Sequence, residues 1–156
     1  MEIILACDEE GGIAKQGVMP WPRLAEDMRH FKAMTTGHCV IMGSTTWNDE
    51  CTPAPLPGRL NVVVSTKAIL GADEVISGYL PGAIDALDVG TMKKFVIGGA
   101  DIVRQVLWKA QVLHITEIQG TYDCDTFVST RFAPLFKRTE TKILAANANY
   151  TRWERQ

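Results

Sequence analysis

Three stretches of small and hydroxyl residues directly follow apolar runs: Gly43-Ser44-Thr45-Thr46, Ser65-Thr66-Lys67 and Gly98-Gly99-Ala100. Backbone N–H groups at a helix start, with the helix dipole behind them, favour anions. Glycine lets the chain approach such a group closely. Several such stretches suit an extended polyphosphate ligand such as a dinucleotide, although a Gly-Gly after a strand is more often a tight turn. Neither G-x-G-x-x-G nor G-x-x-x-x-G-K-[ST] occurs in the chain, so the two common nucleotide fingerprints do not apply.

Asp27 is the sharper feature. It lies beside Met28 and four residues before Phe31, so it can border an apolar helix face. Spacing alone favours a solvated acid beside Glu26, or a partner for Arg23 or His30. A buried Asp27 would need a cationic or strongly donating neighbour, because an unpaired buried carboxylate is costly. Arg59 follows a proline-rich stretch; most lone arginines are solvated, but one held on a rigid loop can grip a carboxylate with two parallel hydrogen bonds. Trp21, between Pro20 and Pro22, is either a loop anchor or a cleft-lining aromatic. Thr116 reads as an ordinary strand residue. His30, His38 and His114 lack metal-ligand spacing, and Cys7, Cys39, Cys51 and Cys124 form no C-x-x-C pair. Neither a metal site nor a disulfide framework is expected.

The elements that would carry these residues alternate. Residues 3–6 form a short apolar run suited to a buried strand, and a glycine- and proline-rich loop follows. Residues 24–34 place Leu24, Met28, Phe31 and Met34 at helical spacing, and Gly37 would end that helix. Residues 39–42 read as a central parallel strand, with hydroxyls after Gly43 where a helix N-cap would stand. Residues 53–58 form a rigid loop, residues 62–64 a strand, and residues 84–87 part of a short helix. Residues 95–97 form another buried strand, residues 102–108 a helix and residues 112–118 a strand. Residues 127–154 would supply antiparallel strands closing one edge. Such alternation predicts a three-layer α/β domain, residues 1–156 as one unit, with a mostly parallel sheet and ligands beyond the carboxyl ends of its strands.

Composition sets the outer bounds. The chain has 156 residues, 46% hydrophobic and 22% charged, which excludes disorder, collagen and a coiled coil. A formal net charge of -2 argues against a nucleic-acid binder. No apolar run is long enough to span a membrane, and the start has neither a basic leader nor a cleavage site. A reduced, cytoplasmic protein, acting as a monomer, is expected.

Six blocks in order resemble the dihydrofolate reductase family: Met19-Pro20-Trp21 followed by Asp27, Phe31 and Lys32; Val40-Ile41-Met42-Gly43 with Thr46-Trp47; Leu56-Pro57-Gly58-Arg59-Leu60-Asn61; Val96-Ile97-Gly98-Gly99-Ala100; Ile115-Thr116-Glu117-Ile118; and Asp125-Thr126. The resemblance spans nearly the whole chain. It implies a sheet of about eight strands flanked by helices, with residues 38–90 as an adenosine-binding subregion. It also implies reduction of 7,8-dihydrofolate to tetrahydrofolate with NADPH, in support of thymidylate and one-carbon metabolism, and block by antifolates such as methotrexate or trimethoprim.

Carried over residue by residue, the resemblance makes Asp27 the group that holds the pterin, with Thr116 supporting it and Trp21 completing the catalytic set. Ile4, Ala6, Met28, Phe31 and Leu56 would line the substrate pocket, and Arg59 would hold the glutamate tail. Ala6, Ile13, Ile97 and Gly98-Gly99, joined by a cis bond, would surround the nicotinamide and its phosphates. Gly43, Ser44, Thr45, Thr46, Ser65, Thr66, Lys67, Ala100, Asp101, Ile102, Val103 and Thr126 would complete the cofactor site. Residues 9–23 would close over it and exclude water. Hydride would pass to pterin C6 while N5 gains a proton from water, and aligning the two rings is worth roughly 7–11 kcal/mol of barrier.

Three positions depart from the family pattern. Ser44 stands where an arginine often grips the 2′-phosphate of NADPH, leaving Lys67 to compensate. Val103 replaces a common aromatic, and residues 48–54 are longer than in many relatives. A related pterin or pyrimidine reductase, such as the deaminase-coupled reductase of riboflavin synthesis, fits the Asp27 and Arg59 pair less well. A non-catalytic folate- or nucleotide-binding module is the reading from another class.

Overall fold

The computed structural model describes residues 1–50, 52–128 and 134–156. Ten strands and four helices alternate along it. They are β1 (Glu2–Cys7), β2 (Gly12–Ala14), α1 (Ala25–Thr35), β3 (Cys39–Gly43), α2 (Ser44–Trp47), β4 (Leu60–Val64), β5 (Glu74–Ile76) and α3 (Leu80–Ala86). They continue with β6 (Lys94–Gly98), α4 (Ala100–Val106), a 3₁₀ turn (Leu107–Lys109), β7 (Val112–Ile118), β8 (Thr126–Phe127), β9 (Phe136–Ala145) and β10 (Ala148–Arg155).

Eight strands form one sheet in the order β5-β4-β3-β6-β1-β7-β10-β9. The first six run parallel, and β10 and β9 join antiparallel at one edge. The mostly parallel three-layer expectation therefore holds. Cys51, and the part of the expected edge between residues 129 and 133, lie outside the described residues. Among the described residues no helix is long and apolar enough to cross a membrane.

Why these runs become central strands follows from their side chains. In β3 all five residues are buried, as expected where both faces of a parallel sheet are covered. Alternate residues then feed opposite layers. Val40 and Met42 join Ile4, Val63 and Phe95 on the face where Phe31 and Met34 of α1 pack. Ile41 joins Ile3, Val62 and Val96 on the other face, where Leu80 and Ile84 of α3 and Val103 and Val106 of α4 close the layer.

Local chemistry revises three expectations. The hydroxyls after β3 do not cap α2: Gly43 is the N-cap and no side chain caps the helix, so Ser44, Thr45 and Thr46 form its first turn. The helix expected over residues 84–87 starts at Leu80 with a proline in its first turn, where the missing N–H costs nothing. The helix expected over 102–108 starts at Ala100 and tightens to 3₁₀ after Val106. Gly37, at φ +81°, does follow the end of α1.

One buried amide fastens the proline-rich loop to the sheet. Asn61, on β4, accepts from the Leu56 N–H at 2.8 Å and donates to the Leu56 and Arg59 carbonyls, both at 3.0 Å. Its own N–H donates to Asp73 Oδ2 at 2.7 Å. The loop thereby holds Leu56 and Arg59 in place without regular structure. Asn61→Ala leaves the buried Leu56 N–H without a partner. We expect a stability loss of about 2–3 kcal/mol, read as a lower denaturant midpoint at unchanged slope.

Candidate active site

A cavity of about 430 Å³ opens at the carboxyl ends of β1, β3 and β6, between α1 and the loop that carries Ile13, Ala14, Gly17 and Met19. This is where an open parallel sheet collects ligands. One end is walled by Ile4, Ala6, Asp27, Met28, Phe31 and Thr116; the other by Gly43, Ser44, Thr45, Thr46, Ile97, Gly98, Gly99, Ala100, Asp101, Ile102 and Val103. Ile13 and Thr126 complete the wall among the residues expected from sequence.

Asp27 stands in the first turn of α1, where the helix dipole favours an acid. Its Oδ1 accepts a 2.6 Å hydrogen bond from Thr116 Oγ1, on β7. Burial pushes its carboxyl above the usual range; the Thr116 donor and the nearby His30 oppose that push without cancelling it. The donating neighbour of Asp27 is thus the Thr116 hydroxyl, and His30, one of the two partners weighed from spacing, adds a weaker electrostatic attraction.

At the other end, the Gly98–Gly99 peptide is cis, as expected. Gly98 has φ +132°, and a Cβ there would come within 3.2 Å of Thr46 Oγ1. Only glycine suits this position, and the bend lets backbone line the cavity between α2 and α4. The residues present fit a flat, polyphosphate-bearing cofactor in shape, since a side chain here would fill the cradle.

Arg59 lies outside the wall. Its Nε donates to the Pro57 carbonyl at 2.9 Å, its Nη1 donates to Thr35 Oγ1 at 3.2 Å, and its guanidinium stands 5.9 Å over the Phe31 ring. Burial lowers its pKa, although the group stays part-exposed. Leu56 packs with Ile4 and Phe31 behind the wall. Trp21 also lies off the wall: it is buried with Ile118 and Ala148, and its ring meets Tyr122 edge-on at 5.9 Å. Ser65, Thr66 and Lys67 follow β4 directly after Val64, which lines the cavity, but are not themselves in the wall; the Lys67 N–H donates to Ser65 Oγ at 3.0 Å and the residue is exposed.

The structure adds residues that sequence reasoning did not single out. Asp8 is 3% exposed and organises the loop over the cavity. Burial would raise its pKa, but the N–H groups of Gly12, Tyr122 and Glu10 donate to its carboxylate and hold it below the usual range. Glu9 accepts from the Gly120 N–H, and Asp125 from the Gln16 N–H, so that loop is docked on residues 120–125. His30, His114 and Tyr150 also line the cavity. From sequence His30 was weighed as a partner for Asp27 and the three histidines together as metal ligands; among the described residues no three His, Cys, Asp or Glu gather into a metal-holding group.

Against known proteins, a family model described as dihydrofolate reductase matches residues 1–153. A dihydrofolate reductase of Neisseria meningitidis is 37% identical over 155 residues, covering 95% of this chain and 92% of that protein. A bifunctional dihydrofolate reductase-thymidylate synthase of Arabidopsis thaliana is 37% identical over 150 residues, covering 83% of this chain. The chain spans only 26% of the length of that plant relative. A solved structure of dihydrofolate reductase from Enterococcus faecalis, complexed with NADP(H) and RAB-propyl, shares the fold at a TM-score of 0.82 and 23% identity, covering 99% of this chain and 95% of that one. The blocks read from sequence, the cavity they enclose and a family match running from the first residue to residue 153 agree: the chain belongs to the dihydrofolate reductase family.

Proposed function

We propose that this chain reduces 7,8-dihydrofolate to 5,6,7,8-tetrahydrofolate, with NADPH as cosubstrate. The observation that carries the reading is a half-buried carboxyl, Asp27, bonded to Thr116 in the same cavity as the Gly98–Gly99 bend. NADPH, when bound, supplies the hydride that reduces pterin C6. Asp27 holds the 2-amino and N3 edge of the pterin, and Thr116 holds Asp27. Asp27 favours proton uptake at N5 indirectly, with water delivering the proton. Met28, Phe31 and Ile4 give the ring an apolar slot, and Arg59, beyond Phe31, meets the glutamate carboxylate.

Residues 38–90 would hold the adenosine half of the cofactor, and the glycine bend would take its phosphates. A monomer is the oligomeric state proposed with this reading. Antifolates such as methotrexate and trimethoprim would compete for the Asp27 end. A reduced compartment such as the cytoplasm is proposed with this reading, on the cysteine pattern of the sequence.

The direct test is to mix the chain with dihydrofolate and NADPH and follow the loss of nicotinamide absorbance, with methotrexate as the block. Asp27→Asn should cut turnover at neutral pH by at least 100-fold with the fold intact, on the order of a lost general acid–base group; unchanged turnover would dismiss the assignment.

The same variant has a stability signature. The native pKa of Asp27 lies above 3.8, so the folded chain holds this proton more tightly than the unfolded one. The group's contribution to stability therefore falls as pH rises from 3.8 through the native pKa. Asp27→Asn should melt higher than the parent at pH 7, and the advantage should shrink as pH is lowered towards 3.8. A lower melting temperature at pH 7 would mean that the carboxylate is not held at an energetic cost.

Cofactor choice is open to a separate measurement. Ser44 is exposed on the wall, no lysine or arginine lines the cavity among the described residues, and Lys67 is exposed beyond it. Ser44→Arg should raise the NADPH-over-NADH ratio of kcat/KM by roughly tenfold or more, the size of a charge-assisted hydrogen bond. Lys67→Ala should lower that ratio if Lys67 reaches the 2′-phosphate; no change removes Lys67 from the site.

A further inference from the structure

Behind Asp27 runs a ladder of polar side chains that spans the sheet. Lys93 Nζ lies 3.2 Å from Glu2 Oε1. The hydrogen bond from His114, helped by Lys93, holds Glu2 down to about 2 despite its burial, so Glu2 is a carboxylate and His114 Nε2–H donates to its Oε2 at 2.6 Å. In the neutral ring His114 Nδ1 is left to accept from the Tyr150 hydroxyl at 2.8 Å. Both His114 and Tyr150 are buried, and their rings are nearly parallel, 11° apart. The Tyr150 ring then meets the His30 ring at 4.4 Å.

His30 ends this ladder at the cavity wall, three residues after Asp27 on α1, a spacing that puts both on one helix face. Its Nε2 is the one buried side-chain nitrogen or oxygen among the described residues that has no hydrogen-bond partner. A buried polar atom without a partner is costly, and a phenyl ring would pack on Tyr150 as well. Packing alone therefore gives no reason for an imidazole at this place.

We propose that His30 and Asp27 titrate as one pair, with His30 a positioning residue that sets the charge Asp27 carries when substrate arrives. The proposal rests on the role given to Asp27 above. The groups facing His30 are Asp27 on its own helix, His114 on β7, Tyr150 on β10, and Glu140 and Lys142 on β9. Burial lowers the pKa of His30 and raises that of Asp27, bringing the two towards one range, while their mutual attraction favours the charged pair. Lys142 and His114 act against a cation at His30, and Glu140 acts for it. The consequence is that Asp27 stays ionised at lower pH than its burial alone would allow.

The test uses the full chain and two readouts. His30→Phe keeps a ring on Tyr150 and removes the charge; His30→Asn keeps polarity without the charge and serves where the phenyl variant folds poorly. Carboxyl-detected NMR of the unliganded protein follows Asp27 directly, whatever the reaction turns out to be. In both variants the Asp27 midpoint should rise by about one pH unit, the size of one nearby charge, and the second, coupled step should vanish. The acid limb of kcat/KM for dihydrofolate should move by the same amount while KM for NADPH stays put. An Asp27 midpoint unchanged in His30→Phe, or restored to the parent value in His30→Asn, overturns the pairing. Loss of the whole activity assignment would show instead as no turnover by the parent chain, with the NMR midpoints still readable.

Discussion

The hydrogen bond from Thr116 to Asp27 is the constraint on which the site depends. A carboxyl on the cavity-facing side of α1 loses much of its hydration, and with no donor it would stay protonated or turn outward. One short bond from a buried hydroxyl keeps it in the cavity and favours its ionised form. The same bond ties α1 to β7 across the mouth of the sheet. The helix that carries Asp27 also carries Phe31 and Met34 into the core, so the geometry of the site and the packing of that layer cannot be varied independently.

Much of the fold was legible because parallel strands covered on both faces must be continuously apolar. Residues 39–42, 62–64 and 95–97 announce themselves that way, and all are buried except Val64 and Ile97, which are half-buried where they meet the cavity. β5 and the β2–β8 pair were not, because three or two residues, part of them exposed, carry no period long enough to read. The start of α3 was missed for a related reason: Pro81 reads as a breaker but sits in the first turn. The order of strands in the sheet is a long-range fact with no local signature.

Site residues divide in the same way. Gly98 was legible because only glycine fits its backbone, so the residue type itself carries the information; Gly99, at φ -80°, has no such requirement. Asp27 was visible as a residue but not as a buried one; its neighbour Thr116 lies 89 positions away, and pairing at that distance leaves no trace in spacing. Asp8 and Asn61 follow the same logic. Each satisfies several backbone N–H or carbonyl groups of an irregular segment, a task that any Asp or Asn in a loop might have. Irregular backbone near a cavity needs such internal partners because no strand or helix ladder supplies them. The loops over this site are therefore held by buried polar side chains as well as by the apolar packing of Met19, Trp21 and Tyr122.

That division separates positions fixed by backbone from positions fixed by charge. Positions whose backbone is singular, such as the double-glycine bend, admit almost no substitution. Positions whose role is electrostatic can be met by other residues as long as the summed field on Asp27 is kept. The Glu2–His114–Tyr150 ladder lies in this second class: it connects three strands, β1, β7 and β10, through groups that an apolar trio could replace for stability alone. Its retention of charge at one end and contact with His30 at the other has a mechanical effect as well. The His114 and Tyr150 rings are held by hydrogen bonds and by each other, and the imidazole beside Asp27 packs on Tyr150 at a tilt of 53°. A titratable group packed against a fixed ring in a partly dehydrated wall acts on its neighbour more strongly than one in open water, which is why the helix face beside Asp27 matters to the field on that carboxyl.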